Sequence, residues 1–233
     1  MLLALDTSAD ITVALVTPDG TAALAARRVE EPRRHAELLS PLVTEVLREA
    51  GADRRDLTAV VVGTGPAPFT GLRAGLVTAR TFAFALGLPV HGVCSLDALA
   101  AQAYRDRAAD PAQEVVVLTD ARRREVYHAR YAARAEAPGA LALLDGPGVA
   151  RPAELAAAGA LSDAVVVGPG VVLHADDVVP AGRAEHGPLH VDAVVLAALA
   201  LARADAGVPQ PAEPLYLRRP DVMPAASRKR AGR

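Results

Sequence analysis

The stretch that most constrains this chain is Val60-Val61-Val62-Gly63-Thr64-Gly65-Pro66-Ala67-Pro68-Phe69-Thr70-Gly71-Leu72-Arg73-Ala74-Gly75. The three valines read as a buried strand, the Gly/Pro pairs as a tight turn, and the residues from Thr70 to about Leu86 as a helix. Thr70 stands where an N-cap belongs, its hydroxyl available to the first free backbone N–H groups. Such a helix start is electropositive and holds an anion or a partner's carboxylate. The order strand, turn, helix suits a nucleotide-binding α/β protein, yet the residues that grip phosphate are missing. A Walker loop ends in Gly-Lys-Ser/Thr, and this one has Gly71-Leu72-Arg73. A dinucleotide loop needs a third glycine where Pro68 stands, and no acid ends the next strand.

The flanking elements are legible on the same terms. Leu2–Asp6 and Ile11–Val16 read as strands, Pro18-Asp19-Gly20 as a turn, and Thr21–Val29 as a third strand, so the chain opens with an antiparallel meander. A helix follows from about Arg34 to Ala50, with Leu38, Leu39, Leu42, Val43, Val46 and Leu47 at helical spacing and Gly51 as its stop. Strand Ala59–Val62, helix Thr70–Leu86, strand Pro89–Val93 and helix Ser95–Arg107 complete the half.

The second half repeats the order more loosely. Glu114–Thr119 is a buried strand. Arg124–Tyr131 alternates, with Val126, His128 and Arg130 on one face and Tyr127, Ala129 and Tyr131 on the other. Strand Ala140–Leu144, helix Ala153–Ala158, strand Ala164–Val167 and a long helix Val191–Ala206 follow. A meander followed by crossover units gives an α/β fold of mixed sheets with flanking helices. Duplicated βββαβα units are the plan of the actin/Hsp70/sugar-kinase superfamily. The expected division is residues 1–108 with 188–217 as a first subdomain, 109–187 as a smaller second one, and 218–233 as a basic, disordered tail.

Of 233 residues, 52% are hydrophobic and 22% charged, enough for a sizeable core. No apolar run reaches membrane-spanning length and no leader pattern precedes Leu2, so a cytoplasmic protein without a membrane is expected. The net charge of −2 exerts no global pull toward nucleic acid. The tail is the exception: Arg218, Arg219, Arg228, Lys229, Arg230 and Arg233 face one acid, Asp221, as either a solvated terminus or a weak contact to RNA phosphates. A single cysteine, Cys94, rules out an intrachain disulfide; it is a nucleophile or, as apolar Val93 and Leu96 favour, a small core filler.

Candidate chemistry is thin. Asp6, ending the first strand, is a metal-holding acid in phosphate-transfer members of the superfamily or an ordinary turn residue ahead of Thr7-Ser8. A second phosphate loop should open the second half with glycines, but Asp120-Ala121-Arg122-Arg123-Arg124 stands there. The late glycine loop is reduced to Val167-Gly168-Pro169-Gly170. Only His186 and His190 are four apart, with Gly187-Pro188 between them, which is no zinc-binding helix face, and no Gly-x-Ser-x-Gly elbow occurs. The helix after Thr70 carries Leu72, Leu76, Ala79, Ala83 and Leu86 on one side and small Ala74, Gly75 and Thr78 on another, a pattern that buries two faces or serves the core alone.

Six blocks carry a family resemblance: Leu2–Ser8, His35–Leu42, Gly65–Arg73, Gly92–Leu99, Asp120–Tyr127 and Pro214–Arg218. In order and across nearly the whole chain they resemble TsaB (YeaZ-type) proteins. The resemblance implies a non-catalytic partner of the paralogue TsaD in making N6-threonylcarbamoyladenosine beside the anticodon of tRNAs reading ANN codons. TsaD carries a His-x-x-x-His metal pair where this chain has Ser95 and Leu99, so no metal site is implied here. No cofactor is implied on this chain, and Asp6, Gly65, Gly71 and Arg73 are a vestigial nucleotide loop. ATP, metal and threonylcarbamoyl-AMP belong on the partner proteins. The implied partners are TsaD, the ATPase TsaE through the TsaD pair, tRNA through the complex, and a second copy of the chain when alone. The first two helices are the implied partner surface, with His35, Leu38, Leu42, Ala74 and Thr78 as the expected contacts and the last four left in water in a monomer. The family's usual Gly-Pro-Gly-Ser-Phe is Gly65-Pro66-Ala67-Pro68-Phe69 here. The alternatives are an active phosphotransferase of the superfamily, with Asp6 as its metal acid, or a peptidase-like protein, for which no nucleophile or metal pair is found.

Overall fold

Alternation along the first strand sets the layers. In β1 (Leu2–Asp6), Leu3 and Leu5 enter one core cluster while Leu2 and Ala4 enter another, so both faces of the strand are covered. A computed structural model, describing residues 1–31, 34–134, 140–178 and 187–218, shows how. β1 pairs antiparallel with β2 (Ile11–Val16) and parallel with β4 (Ala59–Gly63). With β3 (Ala23–Val29) and β5 (Val90–Val93) the first sheet has the order β3-β2-β1-β4-β5. The second sheet comprises β6 (Glu114–Arg122), β7 (Glu125–Ala133), β8 (Leu141–Ala150) and β9 (Ala164–Val167), in the order β8-β7-β6-β9. In each, three antiparallel strands are joined by a parallel strand beside the first. The two sheets thus repeat one α/β plan, as the duplicated order of elements in the sequence predicts.

Helices α1 (His35–Glu49) and α2 (Phe69–Leu86) cover the outer face of the first sheet through Leu39, Val43, Val46, Leu72, Leu76 and Ala79. Between the sheets lie α3 (Ser95–Arg105) and α7 (Ala193–Asp205): α3 contacts every strand of the second sheet, α7 contacts the first, and the two pack on each other. Six of the eleven residues the two helices bury in the central core are alanines. The layer is tied at Asp97, whose Oδ1 accepts from Tyr131 Oη at 2.7 Å and whose Oδ2 accepts from Arg203 at 2.6 Å. Short helices α4 (Pro152–Ala157), α5 (Pro169–Leu173) and α6 (Ala175–Val178) back the second sheet. Tyr127, Ala129 and Tyr131 face the central core and Val126 the outer one, as their alternation requires.

Several boundaries differ from the sequence reading. β3 starts at Ala23 because the Asp19 carboxylate accepts from Thr21 N and Oγ1 and holds that residue in the turn. β8 runs through Pro147 to Ala150; it is an edge strand whose pairing with β7 shifts register at His128–Arg130, which is where a strand tolerates proline. After α7 the chain turns at Gly207 and residues 208–218 form an extended strap. Gly92 N donates to Gln210 O at 3.0 Å and Leu215 N to Thr64 O at 2.9 Å. A Cβ on Gly92 would lie 2.3 Å from Pro211 O, so only glycine admits the strap there. Arg218, read as the start of a disordered tail, is docked instead: it donates to Ala121 O at 2.7 Å and pairs with Glu125. The rest of that tail lies outside the described residues.

Candidate functional site

The C-terminal ends of β1 and β6 face each other across a cavity of about 660 Å³ lined by Thr7, Ser8, His35, Thr70, Gly71, Asp120 and Arg122, among others. Asp6 lies beneath its floor, 2% exposed. Its Oδ1 accepts from Ser8 N at 2.8 Å and Ser8 Oγ at 2.6 Å, and its Oδ2 from Ser95 Oγ at 2.6 Å. Ser95 Oγ in turn accepts from Gly65 N at 3.2 Å. Burial pushes the Asp6 carboxyl up from the usual range, against these hydrogen bonds, which pull it down. A Cβ on Gly63 would stand 1.8 Å from Asp6 Oδ2 and 2.9 Å from Ser95 Oγ, so that glycine makes room for the pair.

A catalytic metal does not fit this arrangement. Three donors already engage the carboxylate, and Ser95, which could offer a weak ligand, has its hydroxyl turned to Asp6. Leu99, one turn along α3, lies in the central core. Among the described residues no group of three or more His, Cys, Asp or Glu is placed to hold a metal. His186 lies outside the described residues, and His190 sits against Arg28.

The start of α2 differs from the expected cap. Pro68 occupies the N-cap position, its carbonyl accepting from Leu72 N at 3.3 Å, and Thr70 is the second helical residue, exposed and without a capping bond. Gly65 adopts a φ of +83°. Gly71 and Gly75 pack against the first turn: Thr7 Oγ1 donates to Gly71 O at 2.9 Å, and a Cβ on Gly75 would lie 2.3 Å from Thr7 Oγ1. Gly75, grouped with Ala74 and Thr78 in sequence, is buried. Arg73 turns away from the cavity. Its Nε donates to Tyr216 Oη at 2.7 Å, and its guanidinium lies 5.4 and 5.5 Å from the rings of Phe69 and Tyr216, which stack at 4.6 Å.

Across the cavity, Asp120 Oδ1 accepts from Arg122 N at 2.7 Å and its Oδ2 pairs with the Arg122 guanidinium at 3.0 Å. Arg122, Arg123 and Arg124 are all exposed and all left-handed, with φ of 64°, 57° and 61°. Nothing in the sequence signals that turn, since it contains no glycine or asparagine. The late glycine loop is a packing device: Cβ atoms on Gly168 and Gly170 would meet Leu118 at 2.4 and 2.9 Å.

The expected partner residues are placed differently from expectation. His35 and Leu42 are 8% and 7% exposed, while Leu38, Ala74 and Thr78 are half-buried. α1 and α2 pack on each other as well as on the sheet, and Leu38, Leu42 and Ala74 join the core cluster beneath them. The apolar side chains left in water on α2 are Val77 at 63% and Phe84 at 89%. Cys94 packs against the central core, and burial pushes its thiol pKa up, away from a reactive thiolate.

A family model described as "TsaD: tRNA N6-adenosine threonylcarbamoyltransferase" matches residues 29–159. The Escherichia coli protein named tRNA threonylcarbamoyladenosine biosynthesis protein TsaB is 35% identical over 130 residues, 56% of this chain and 54% of that one. A crystal structure of an uncharacterized Pseudomonas aeruginosa protein with similarity to peptidase YeaZ superposes with a TM-score of 0.76 at 32% identity. It covers 93% of this chain and 99% of that one. The chain belongs to the TsaB/YeaZ family. An uncharacterized Mycobacterium tuberculosis protein is similar at 41% identity over 232 residues, 97% of this chain and 95% of that one. Within this TsaB/YeaZ chain, two of the blocks read separately in sequence, Gly65–Arg73 and Pro214–Arg218, form one structure: the Phe69–Arg73–Tyr216 stack under the strap.

Proposed function

We propose that this chain is the non-catalytic partner of a TsaD-type enzyme in forming N6-threonylcarbamoyladenosine beside the anticodon of tRNAs reading ANN codons. The observation that carries the reading is Asp6: the superfamily's metal-holding position is buried and engaged by Ser8 and Ser95. The TsaB names of its relatives support it. On this reading TsaD performs the transfer, with ATP, metal and threonylcarbamoyl-AMP held by partner proteins, and TsaE acts on the TsaD pair. The isolated chain binds Mg-ATP weakly or not at all.

The partner surface is placed on α1 and α2, with Val77 and Phe84 at its centre and half-buried Leu38, Ala74 and Thr78 at its margin. The same face pairs with a second copy when TsaD is absent. Co-expression with the TsaD homologue of the same cell tests this. A stable pair is expected, and Val77→Glu with Phe84→Glu should weaken both it and the homodimer by about 2 kcal/mol or more, the scale of an interface hot spot. Failure to co-purify, or micromolar stoichiometric Mg-ATP binding by the chain alone, would favour an active phosphotransferase instead.

A further inference from the structure

We infer that the β6–β7 arginine hairpin, with the Phe69–Arg73–Tyr216 stack and Arg218 beside it, is a docking surface for the phosphate backbone of RNA. The inference rests on the proposed role in tRNA modification and assigns this chain its own part in holding the tRNA. Three consecutive exposed arginines occupy left-handed backbone, a conformation that costs any residue with a Cβ. Glycine or asparagine would make the turn more stable, so the turn retains charge at the expense of stability. That is the situation in which a strained backbone points to function.

The charge is also concentrated. Five arginines, Arg73, Arg122, Arg123, Arg124 and Arg218, stand on this surface; among the described residues Arg122 pairs with Asp120 and Arg218 with Glu125. The chain as a whole carries −2, so this surface is segregated from an acidic remainder. Phe69, Arg122, Arg123 and Arg218 border a concavity of about 250 Å³. Tyr216, 40% exposed, presents a ring beside the charges, the pairing of aromatic face and cations that holds unpaired nucleotides.

The test is fluorescence anisotropy of the full chain with a labelled, unmodified tRNA transcript between 50 and 200 mM salt. The triple variant R122N/R123N/R124N keeps residues that tolerate left-handed backbone. It should bind at least tenfold more weakly, with a salt slope shallower by about 2, as expected for three lost phosphate contacts. Y216L should weaken binding a few-fold with the slope unchanged. R48Q/R54Q/R55Q is the charge-matched control, because Asp56 O accepts from the Met1 amine and so this region lies at the opposite end of the first sheet from Asp6. It should bind as the parent does. No binding by the parent, an unaltered triple variant, or equal loss in the control overturns the proposal. Competition by polyglutamate as strong as by polyuridylate, or loss of TsaD co-purification in the triple variant, overturns it in favour of a protein contact. Retained co-purification alongside unaltered RNA binding sinks the hairpin assignment and leaves the TsaD reading standing.

Discussion

β1 and β6 end in the same backbone device. Asp6 Oδ1 accepts from the N–H of Ser8 and Asp120 Oδ1 from the N–H of Arg122, two residues on in each case. Their surroundings are opposite. Asp6 is 2% exposed and held by hydroxyls, whereas Asp120 is half-buried and paired with an exposed guanidinium. The duplicated fold therefore retains the turn and lets burial decide its use. On one side the carboxylate is a strut between β1 and α3; on the other it steadies a charged hairpin. Five substitutions probe this contrast.

The largest effect is expected at Gly63. Gly63→Val drives a side chain into Asp6 and Ser95 and should destabilise the protein by more than about 3 kcal/mol, the upper range for overpacking. A thermal melt near that of the parent would mean the first turn is not packed as described. Ser95→Ala removes one donor from a buried carboxylate and should cost about 2–3 kcal/mol at pH 7. The loss should shrink toward pH 4, where the carboxyl takes a proton; an equal loss at both pH values would show that only packing had been removed. Arg218→Ala takes one partner from a mostly buried ion pair and should cost about 1–2 kcal/mol by denaturant titration.

The smallest effects are at the aspartates themselves, and they separate by pH. A carboxyl whose folded pKa is raised disfavours folding once it is ionised in the unfolded chain. Its penalty is absent well below about pH 4 and grows as pH rises toward the raised folded value. Asp6→Asn should therefore remove a downward slope of stability over that interval while staying within about 1 kcal/mol of the parent at pH 7. Asp120→Asn should change stability by less than about 0.5 kcal/mol. Matching pH profiles for the two variants would erase the distinction between the turns.

Much of the fold was legible because it rests on local signals. The apolar runs of β1, β4, β6 and β9, the helical spacing of α1 and α2, and the stop at Gly51 with a φ of +62° all place themselves. The candidate site was less so, for physical reasons. Thr70 looked like a cap because Ser and Thr commonly are, but the helix begins one residue earlier, behind Pro68. Leu42 looked available because periodicity marks an apolar stripe without saying how many neighbours cover it; α1 and α2 pack on each other. The left-handed arginines lack any turn-forming residue type. The strap has no period at all, and the hydrogen bond from Arg73 to Tyr216 joins residues 143 positions apart, beyond any local pattern.

The strap also bears on how the chain is assembled as it leaves the ribosome. β1 to β9 are all translated before Gln210, so both sheets can pair before the segment that stitches Gly92, Thr64 and the β6–β7 turn together exists. Phe69 and Arg73 emerge far ahead of the ring that stacks on them. The clasp between the halves is thus a late event of biosynthesis. A nascent chain paused between α7 and Pro214 holds every strand of both sheets but not yet Leu215, Tyr216 and Arg218, which close the clasp.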